Sequence, residues 1–544
     1  MNVNTINWKH KIAILGAMMT ITTTAWTQSI KWSENYEMSS IFNENEIIQA
    51  STAGFYVLQN YKDANYYYQR RISFYDLNFN KREGGELIEF GMDSIKGQYQ
   101  FAASTEGLPA LFYTVSSDKE EVELLVASVL DSSTLSLNDK SEMISIRMYN
   151  SKLNPQDNYG YCNSPDQSKW LFYNRLAYAK KEKGKIGTEM FDIHQDRGWL
   201  GLGGELPKGI VLNQAAEILT TSDVVDAVVD NNGRSYLLCK IYRSKNKKEE
   251  KKIGTRYVYS LIQRDKEKIQ VLDTLKVLSP KDSAIIVSAK LSINKTTGAI
   301  TCLGTYKLPR KKAGFFRLNL AQGFTGTPVV MDYPVEVLVQ EAKMPRKLKK
   351  KKHLSLKNYK VKSIFEQRDG TQILIAEQHY INVYWDKSEG RQELHELNNI
   401  LLAKVVDDTI EWVRVLPKRQ KAGAGGYTNV PEKLYSFYAF QKEEQVHILY
   451  NELKENLSIT DEFQLETGYY NKPKDCYLVH CKVDLDSGAL KSKESVLGLK
   501  KDGVAIYPKA TKVLEDGSLL LLGVKPEYNL KEPSYIRFGH WVLD

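Results

Sequence analysis

Cysteine is scarce in this chain. Its 544 residues include five cysteines, too few for a scaffold held together by disulfides. Cys476 and Cys481 lie on one predicted strand, roughly 17 Å apart at a rise of about 3.4 Å per residue, so they cannot bridge each other. Cys239 and Cys302 occupy equivalent strands of neighbouring repeats. There the sequence is compatible either with a disulfide or, as we favour, with two buried thiols.

Motifs that carry catalysis or bind metal are missing as well. The eight histidines occur singly and no HExxH is present, which disfavours a zinc hydrolase. His447 and His480 lie inside apolar strands, which favours a place in the core or at its rim. The segment Asp484 to Gly488 lacks most of the ligands of a calcium loop and is typical of a turn. We therefore predict no metal site, no cofactor and no identifiable catalytic residue.

Long hydrophobic runs are confined to the N-terminus. Lys9 and Lys11 precede an apolar stretch, and Ala25 and Thr27 resemble a small-residue cleavage site before Gln28. This pattern predicts a signal peptide over residues 1–27, followed by one domain over residues 28–544. A membrane anchor is disfavoured because four threonines dilute the apolar stretch. We expect an exported protein, periplasmic or extracellular, without a membrane span after cleavage.

The formal net charge of +9 is concentrated in three segments. They are Ser244 to Lys252, Pro309 to Ala313 and Pro345 to His353, and all three lie between predicted strands. Such segments either bind an acidic polymer or serve as solvated loops. The aromatic residues that single-stranded nucleic acid would need are not interleaved with the lysines, which disfavours nucleic acid as a partner.

The stretch from Asp369 to Lys418 reveals the repeating unit of the chain. An Asp-Gly turn precedes the apolar run Ile373 to Ala376, which is short and β-rich and therefore predicts a strand buried on both faces. A second apolar run and an alternating run follow, and a further strand precedes Asp369. Four antiparallel strands cannot bury both of their faces alone, so copies of the unit must stack.

Copies of this unit recur along the whole chain. Turn-plus-strand signals begin at Asp166, Asp230 and Asn294, spaced by 64 residues in both steps. The chain ends after the third strand of its eighth unit, and residues Ile30 to Met38 are placed to supply the missing fourth strand. We therefore predict an all-β fold: a single β-propeller of about eight four-stranded blades, with seven as the alternative, closed by an N-terminal strand.

The segment from Asn163 to Phe172, NSPDQSKWLF, resembles two known repeats. It is similar to the SPDG-x-K repeat of TolB-type propellers, with Gln167 in place of Gly, and more distantly to the Asp-box of sialidases. In both families this turn is mainly structural, because the Asp caps a tight hairpin. The resemblance implies a fold and no activity.

An ordered set of short motifs between Asp166 and Leu457 resembles a family of secreted proteins of the Bacteroidota. The motifs are SPD-x-S-K, DNNG-x-x-YLL, G-x-I-x-C-x-G-x-Y, AEQ, W-x-x-x-x-P-K-x-Q and ILYNE-x-x-x-N-L. Each motif alone is weak evidence, and the resemblance depends on their order along the chain. The resemblance implies a propeller-like fold outside the cytoplasm, again without an activity.

Polar residues interrupt the strand ends in the most motif-rich unit, and we predict a binding site there. The candidate residues are Glu377, Gln378, His379, Lys418, Gln420 and Asn451. We expect a binding or scaffold module for a protein or glycan of the cell envelope or the extracellular space. The alternatives are a propeller enzyme acting on polysaccharide, of glycoside hydrolase or lyase type, and a binder of anionic polymers through its lysine-rich loops.

Overall fold

A computed structural model describes most of the chain beyond the N-terminus. The described residues are 30–38, 46–62, 68–83, 91–92, 95–105, 108–117, 122–147, 159–174, 187–192, 210–211, 222–242, 257–265, 268–272, 275, 284–308, 313–320, 328–332, 359–386, 390–424, 435–459, 465, 468–469, 476–525 and 534–543. The signal peptide predicted over residues 1–27 lies outside them, as do most of the three basic segments.

The described strands form eight antiparallel sheets, numbered here as blades in chain order. Blade 1 holds β3 (Glu46–Ser51), β4 (Gly54–Lys62), β5 (Tyr68–Tyr75) and β6 (Lys81–Glu83). Blade 2 holds β7 (Gly91–Met92), β8 (Ile95–Thr105), β9 (Leu108–Ser117), β10 (Val122–Leu130) and β11 (Leu137–Arg147). Blade 3 holds β12 (Tyr159–Asn163), β13 (Lys169–Asn174), β14 (Gly187–Asp192) and β15 (Ile210–Val211). Blade 4 holds β16 (Ser222–Val229), β17 (Ser235–Tyr242), β18 (Tyr257–Asp265) and β19 (Lys268–Leu272).

The second half of the chain continues the same pattern. Blade 5 holds β20 (Ile285–Ile293), β21 (Ile300–Lys307), β22 (Ala313–Asn319) and β23 (Val329–Asp332). Blade 6 holds β24 (Tyr359–Glu366), β25 (Gln372–Asp386), β26 (Gly390–Val406), β27 (Thr409–Leu416) and β28 (Gln420–Ala424), and β31 (Gly468–Tyr469) is added to it in parallel. Blade 7 holds β29 (Phe437–Lys442), β30 (Gln445–Leu453), β32 (Cys476–Asp484) and β33 (Leu490–Gly498).

Blade 8 joins the two ends of the chain. It holds β34 (Ala505–Ile506), β35 (Lys512–Val513), β36 (Leu519–Lys525) and β37 (Ser534–Trp541), together with β1 (Ile30–Trp32) and β2 (Tyr36–Met38). Ile30 pairs with Trp541 and Met38 with Ser534, while Ser33 interrupts the strand and bonds the backbone of Phe538. The prediction that residues Ile30 to Met38 supply the closing strand is confirmed.

Apolar clusters join each blade to the next. Eight clusters of buried apolar residues link neighbouring sheets. One lies at each contact, from blades 1 and 2 round the ring to blades 8 and 1. A ring of stacked sheets protects the strand edges that an open sheet would expose. The predicted all-β propeller is confirmed. A count of seven blades would require two of these eight hydrogen-bonded sheets to be counted as one.

Strand β25 shows why the repeat could be recognised. Its residues from Ile373 to Ala376 are fully buried, because one set of side chains packs toward blade 5 and the alternate set toward blade 7. A strand buried on both faces has no polar alternation, as the sequence predicted. The elements outside strands are few in the described part, such as the short helix α1 (Leu499–Asp502). None of the described helices has the length and hydropathy needed to cross a membrane.

The Asp turns behave as the repeat pattern predicted. The Asp166 carboxylate accepts hydrogen bonds from the Ser168 amide at 3.0 Å and from the Ser164 hydroxyl at 2.5 Å. Gln167 has φ of 61°, a left-handed conformation that glycine adopts without strain. This explains why the related repeat has Gly at that position. Asp484 caps its turn in the same way, through the amide and hydroxyl of Ser487.

The cysteines form no disulfide among themselves. Cys239, Cys302, Cys476 and Cys481 are buried thiols, and Cys162 is half-buried. Burial raises the pKa of Cys481 to about 11, with the Tyr450 hydroxyl acting in the opposite direction. These sulfurs therefore act as small apolar side chains.

Candidate ligand-binding site

The contact between blades 6 and 7 changes character along its length. Over most of its height it is apolar, built by residues such as Ile375, Leu402, Ile448 and Val479. At the end where the long β25–β26 hairpin leaves the ring, called here the hairpin end, the side chains become polar. We call this part the polar seam. It consists of Glu377, Asn399, Lys418, Gln420, Ser436 and Glu452, all of them buried.

Glu377 and Lys418 form the centre of the polar seam. Lys418 Nζ lies 2.7 Å from Glu377 Oε1, and neither side chain is exposed to solvent. The other two Nζ protons reach Gln420 Oε1 at 2.9 Å and the Leu397 carbonyl at 3.3 Å. Three acceptors for three N–H bonds match an ammonium group. Burial lowers the pKa of Lys418, and the Glu377 carboxylate opposes that shift.

The second carboxylate oxygen of Glu377 is also bonded. Its Oε2 accepts from the Ser436 hydroxyl at 2.8 Å and lies 3.4 Å from Lys362 Nζ. Burial alone would raise the pKa of Glu377, but the two ammonium groups and these hydrogen bonds outweigh it and lower the pKa to about 2. Glu377 is therefore an ionised carboxylate at neutral pH, and its role in the fold is that of a fully bonded buried anion.

Gln420 connects the two blades. Its Oε1 accepts from the Ser436 amide at 2.7 Å, and its Nε2 donates to the Asn451 carbonyl, also at 2.7 Å. Because Ser436 and Asn451 belong to blade 7, one amide side chain ties β28 to the neighbouring sheet. Every polar atom of this side chain is bonded, as a buried amide requires.

Glu452 completes the polar seam in a different protonation environment. Its Oε1 accepts from the Leu453 amide at 2.9 Å and from Asn456 Nδ2 at 2.8 Å, while Oε2 has no hydrogen-bond partner among the described residues. Burial raises the pKa of Glu452 against the opposing effect of these bonds and of Lys418. The two glutamates of the polar seam thus differ: Glu377 is held ionised, and Glu452 is shifted toward its neutral form.

A short chain of hydrogen bonds lies beside the polar seam. Lys360 Nζ lies 3.4 Å from His379 Nδ1, and His379 Nε2 lies 3.1 Å from His395 Nδ1. A charged Lys360 can only donate, so His379 carries its proton on Nε2 and donates it to His395. Burial, followed by the charges of Lys360 and Lys362, lowers the pKa of His379 to about 3. His379 is therefore a neutral relay between a lysine and a second histidine.

Lys360 has an unusual electrostatic environment. Burial, then the neighbouring charges of Lys362 and Lys240, lowers its pKa to about 8, while Glu377 acts in the opposite direction. Lys360 stands opposite Glu377 in the β24–β25 register, and a β-bulge follows Val361. Lys362 keeps 29% of its side chain exposed. Cationic groups thus gather where the polar seam reaches the surface.

The structure brings most of the predicted site residues together, but not all of their side chains. Glu377, Lys418 and Gln420 share one network, and His379 lies in the adjoining chain. Gln378 instead pairs with Tyr359, which belongs to the apolar cluster between blades 5 and 6. Asn451 joins the network through its carbonyl, while its side-chain Nδ2 donates to the Ile506 carbonyl of blade 8 at 2.8 Å.

Sequence reasoning missed several partners of these residues. They are Lys360, Lys362, His395, Ser436 and Glu452. The strand predicted before Asp369 already contained Lys360 and Lys362, so their spacing opposite Glu377 was the available signal. Among the described residues, no group of three or more His, Cys, Asp or Glu side chains is placed to share a metal ion.

No family model and no curated protein matches this chain. Its resemblance to secreted Bacteroidota proteins and to TolB-type repeats therefore stays a prediction. Solved structures are similar to this chain at 7–11% identity. The β-propeller domain of the trilobed protease from Pyrococcus furiosus is 10% identical with a TM-score of 0.35, over 87% of this chain and 98% of that domain.

Two other solved structures have similarly low sequence identity and TM-scores. The polysaccharide lyase Uly1 is 9% identical with a TM-score of 0.38, over 96% of both chains. An α-L-arabinanase from Penicillium chrysogenum, solved with arabinobiose, is 11% identical with a TM-score of 0.31, over 64% of this chain and 94% of that one. Likeness at this level accords with the propeller fold, and the description of the site rests on the geometry of this chain alone.

Proposed function

We propose that this protein is an exported binding module that recognises a partner of the cell envelope or the extracellular space at the hairpin end of blade 6. The observation that carries the proposal is the polar seam. A buried ion pair contributes little net stability compared with apolar packing, so we infer that the polar seam serves binding as well as packing. The network holds the base of the β25–β26 hairpin, and Ile381 on that hairpin is 44% exposed.

The hairpin is the natural contact surface of such a module. It extends beyond the apolar contact with blade 7, and β28 pairs with its second strand from Leu397 to Glu393. Its base is fixed by Lys418 and Gln420, which limits the entropy lost on binding. Loops and hairpins held by a rigid scaffold are where binding surfaces are most often found.

Capture from an envelope extract, run beside a glycan array, tests the proposal. The bait is the mature chain, residues 28–544, compared with a variant in which residues 383–393 are replaced by Asn-Gly, which shortens the hairpin and keeps Asn382 opposite Leu394. We expect one specific partner or glycan to bind the mature chain and to be lost with the hairpin, while the thermal midpoint stays unchanged. Binding that survives in the shortened variant would contradict the proposed surface.

A propeller enzyme acting on polysaccharide is a second candidate. The specific observation in its favour is the chain from Lys360 through His379 to His395, because a lysine with a pKa of about 8 can exchange protons near neutral pH. Hydrolysis through paired carboxylates has less support, since Glu377 and Glu452 are both without solvent exposure. Incubation with an acidic and a neutral polysaccharide, followed by measurement of reducing ends, tests this candidate.

A further inference from the structure

The β25–β26 hairpin has an edge that no described strand covers. β24 pairs with β25 only as far as Gln378. β25 then continues to Asp386 and pairs there with β26 alone, with Ile381 opposite His395. Among the described strands, none pairs with residues 381–386 on the side away from β26. We call this side of residues 381–386 the open edge.

The open edge lacks the charges that protect other outer strands. Its sequence, INVYWD, is rich in β-formers, contains no Gly or Pro, and has its only charge at Asp386. By contrast, the outer strand β33 carries Lys491 and Lys493, and the outer strand β27 carries Glu411 and Arg414. Charged side chains on an edge strand keep other strands from pairing with it. Nothing in the composition of the open edge does the same.

The other side of the hairpin is already paired. β28 pairs with β26 between Glu393 and Leu397, and β31 adds to β28 in parallel at Gln420 and Lys421. The hairpin can therefore gain a strand only on its β25 side. When two copies meet through the same edge, a two-fold axis relates them and the contact closes on itself. Such pairing gives a dimer rather than a fibre.

We propose that the open edge pairs with the open edge of a second copy of this chain, antiparallel about a two-fold axis at Val383. Ile381 then lies opposite Trp385 of the second copy, and Asp386 lies opposite Tyr380. The second copy suits this edge because its strand is equally uncharged, so no like charges meet. Pairs of β-branched and aromatic residues across strands add to the stability of the sheet.

This inference goes beyond the proposed function, since it concerns the backbone edge of the hairpin and not the ligand that the hairpin recognises. Ile381 and Asn382 are exposed in the single chain and lie at the contact in the dimer. Two hairpins then form one continuous sheet. The dimer presents two contact surfaces together, which increases the avidity for a partner with repeated epitopes.

Sedimentation velocity of the mature chain over a range of concentrations tests the inference. We expect a dimer whose fraction rises with concentration. The substitution Val383→Lys places two ammonium groups opposite each other at the two-fold axis and should weaken the dimer by about tenfold. Val383→Glu should have the same effect. An equal mixture of the two variants should recover the dimer, because opposite charges then meet across the axis.

Two further variants separate the open edge from other surfaces. Leu490→Lys adds a charge at an exposed apolar residue of the outer strand β33 and should leave the dimer unchanged. The shortened hairpin, which lacks residues 383–393, should be monomeric. A dimer that survives in the shortened chain, or a loss in Leu490→Lys equal to that in Val383→Lys, would overturn the inference. So would a mixture of the Lys and Glu variants that stays monomeric.

The oligomeric state is measured without a ligand, so its result is independent of the proposed function. A mature chain that is monomeric at every concentration would overturn the inference and assign the open edge to another occupant, such as the residues that precede Tyr359 or a different protein. Capture of the same envelope partner by the mature chain and by Val383→Lys would then still support the binding module. Capture lost in both would count against the module alone.

Discussion

Blade 7 buries polar groups on both of its faces, in two different ways. The face toward blade 6 covers the Glu377–Lys418 pair of that blade, in which Lys418 Nζ has three partners and the Glu377 carboxylate also has three. The face toward blade 8 carries His447 and His480, whose rings share one hydrogen bond of 2.9 Å from Nδ1 to Nε2. Nδ1 of His480 has no hydrogen-bond partner among the described residues.

The difference follows from charge. A buried charged pair is tolerated only when hydrogen bonds replace its hydration. A missing hydrogen bond at a buried neutral imidazole costs much less free energy. Burial lowers the pKa of His447 to about 4 and of His480 to about 3, helped by nearby Lys482. Phe440 stacks on His447, and Trp541 contacts His480 edge to face. The blade 8 face is thus a packed, uncharged core, as the sequence predicted for these histidines.

The largest effect should come from removing the closing strand, because the blade 8 face depends on it. Deletion of residues through Met38 removes six residue pairs between the closing strand and β37, including that of Ile30 with Trp541. At about 1 kcal/mol for each backbone bond, the free energy of unfolding should fall by on the order of 5 kcal/mol. Urea unfolding followed by tryptophan fluorescence measures it.

A chain that begins at Ile30 is the control for this deletion. It keeps both segments of the closing strand and should unfold like the mature chain. The deleted chain should also aggregate, since the edge of β37 becomes free to pair with other chains. Equal unfolding midpoints for the two chains would show that the N-terminal strand does not hold blade 8.

The next effect tests the charged face. Lys418→Met leaves the Glu377 carboxylate buried with only Lys362 and Ser436, and should cost roughly 3–5 kcal/mol. Glu377→Leu combined with Lys418→Met removes both charges and should cost clearly less than the single change, because no ion is left unpaired. A double-mutant cycle by urea unfolding gives the coupling energy. Additive single and double effects would contradict the description of the pair as one unit.

The third effect is the acid sensitivity of the blade 7 face toward blade 8, where His447 and His480 are neutral. The folded pKa values of His447 and His480 lie below the unfolded value of about 6.5, so the unfolded state binds protons more readily. The stability that the two neutral histidines contribute is therefore fully present above pH 6.5. As pH falls from 6.5 to 4, the free energy of unfolding should decrease by on the order of 3 kcal/mol. Glu377 contributes to a different window, from its ordinary value near 4.5 down to about 2.

The double substitution His447→Leu with His480→Leu should flatten this loss between pH 6.5 and pH 4. His540→Gln, a change at a histidine bonded to Ser518 in blade 8, serves as the control for removal of one imidazole. Unfolding midpoints across the pH range give the comparison. A loss of the same size in the Leu variant would assign the acid sensitivity to other groups.

The repeating fold was predictable because it is set by local pattern. Turns at a fixed period and strands such as Ile373 to Ala376 require stacked sheets whatever the details of their contacts. The sequence could group Glu377, Lys418 and Gln420 for a similar reason, since all three lie within or just beyond strand ends of the same unit.

The partners of these residues depend on register between blades, which a single sequence does not contain. Ser436 reaches Glu377 from another blade, and a β-bulge after Val361 sets where Lys362 points. Alternation along a strand explains the two predicted side chains that face elsewhere. Gln378 follows Glu377 and so points to the opposite face, and Asn451 follows Tyr450, which packs toward blade 6.

The smallest effect sharpens the comparison at the surface of the charged face. Burial and the charges of Lys362 and Lys240 lower the pKa of Lys360 to about 8, while its unfolded value is about 10.4. Since the unfolded state holds this proton more tightly, the free energy of unfolding should rise by roughly 1–2 kcal/mol as pH rises from 8 to 10. Lys360→Arg stays charged in both states over this range and should lack the rise. Urea unfolding of the two chains at several pH values in this range gives the comparison. An equal rise in the Arg variant would assign it to a group other than Lys360.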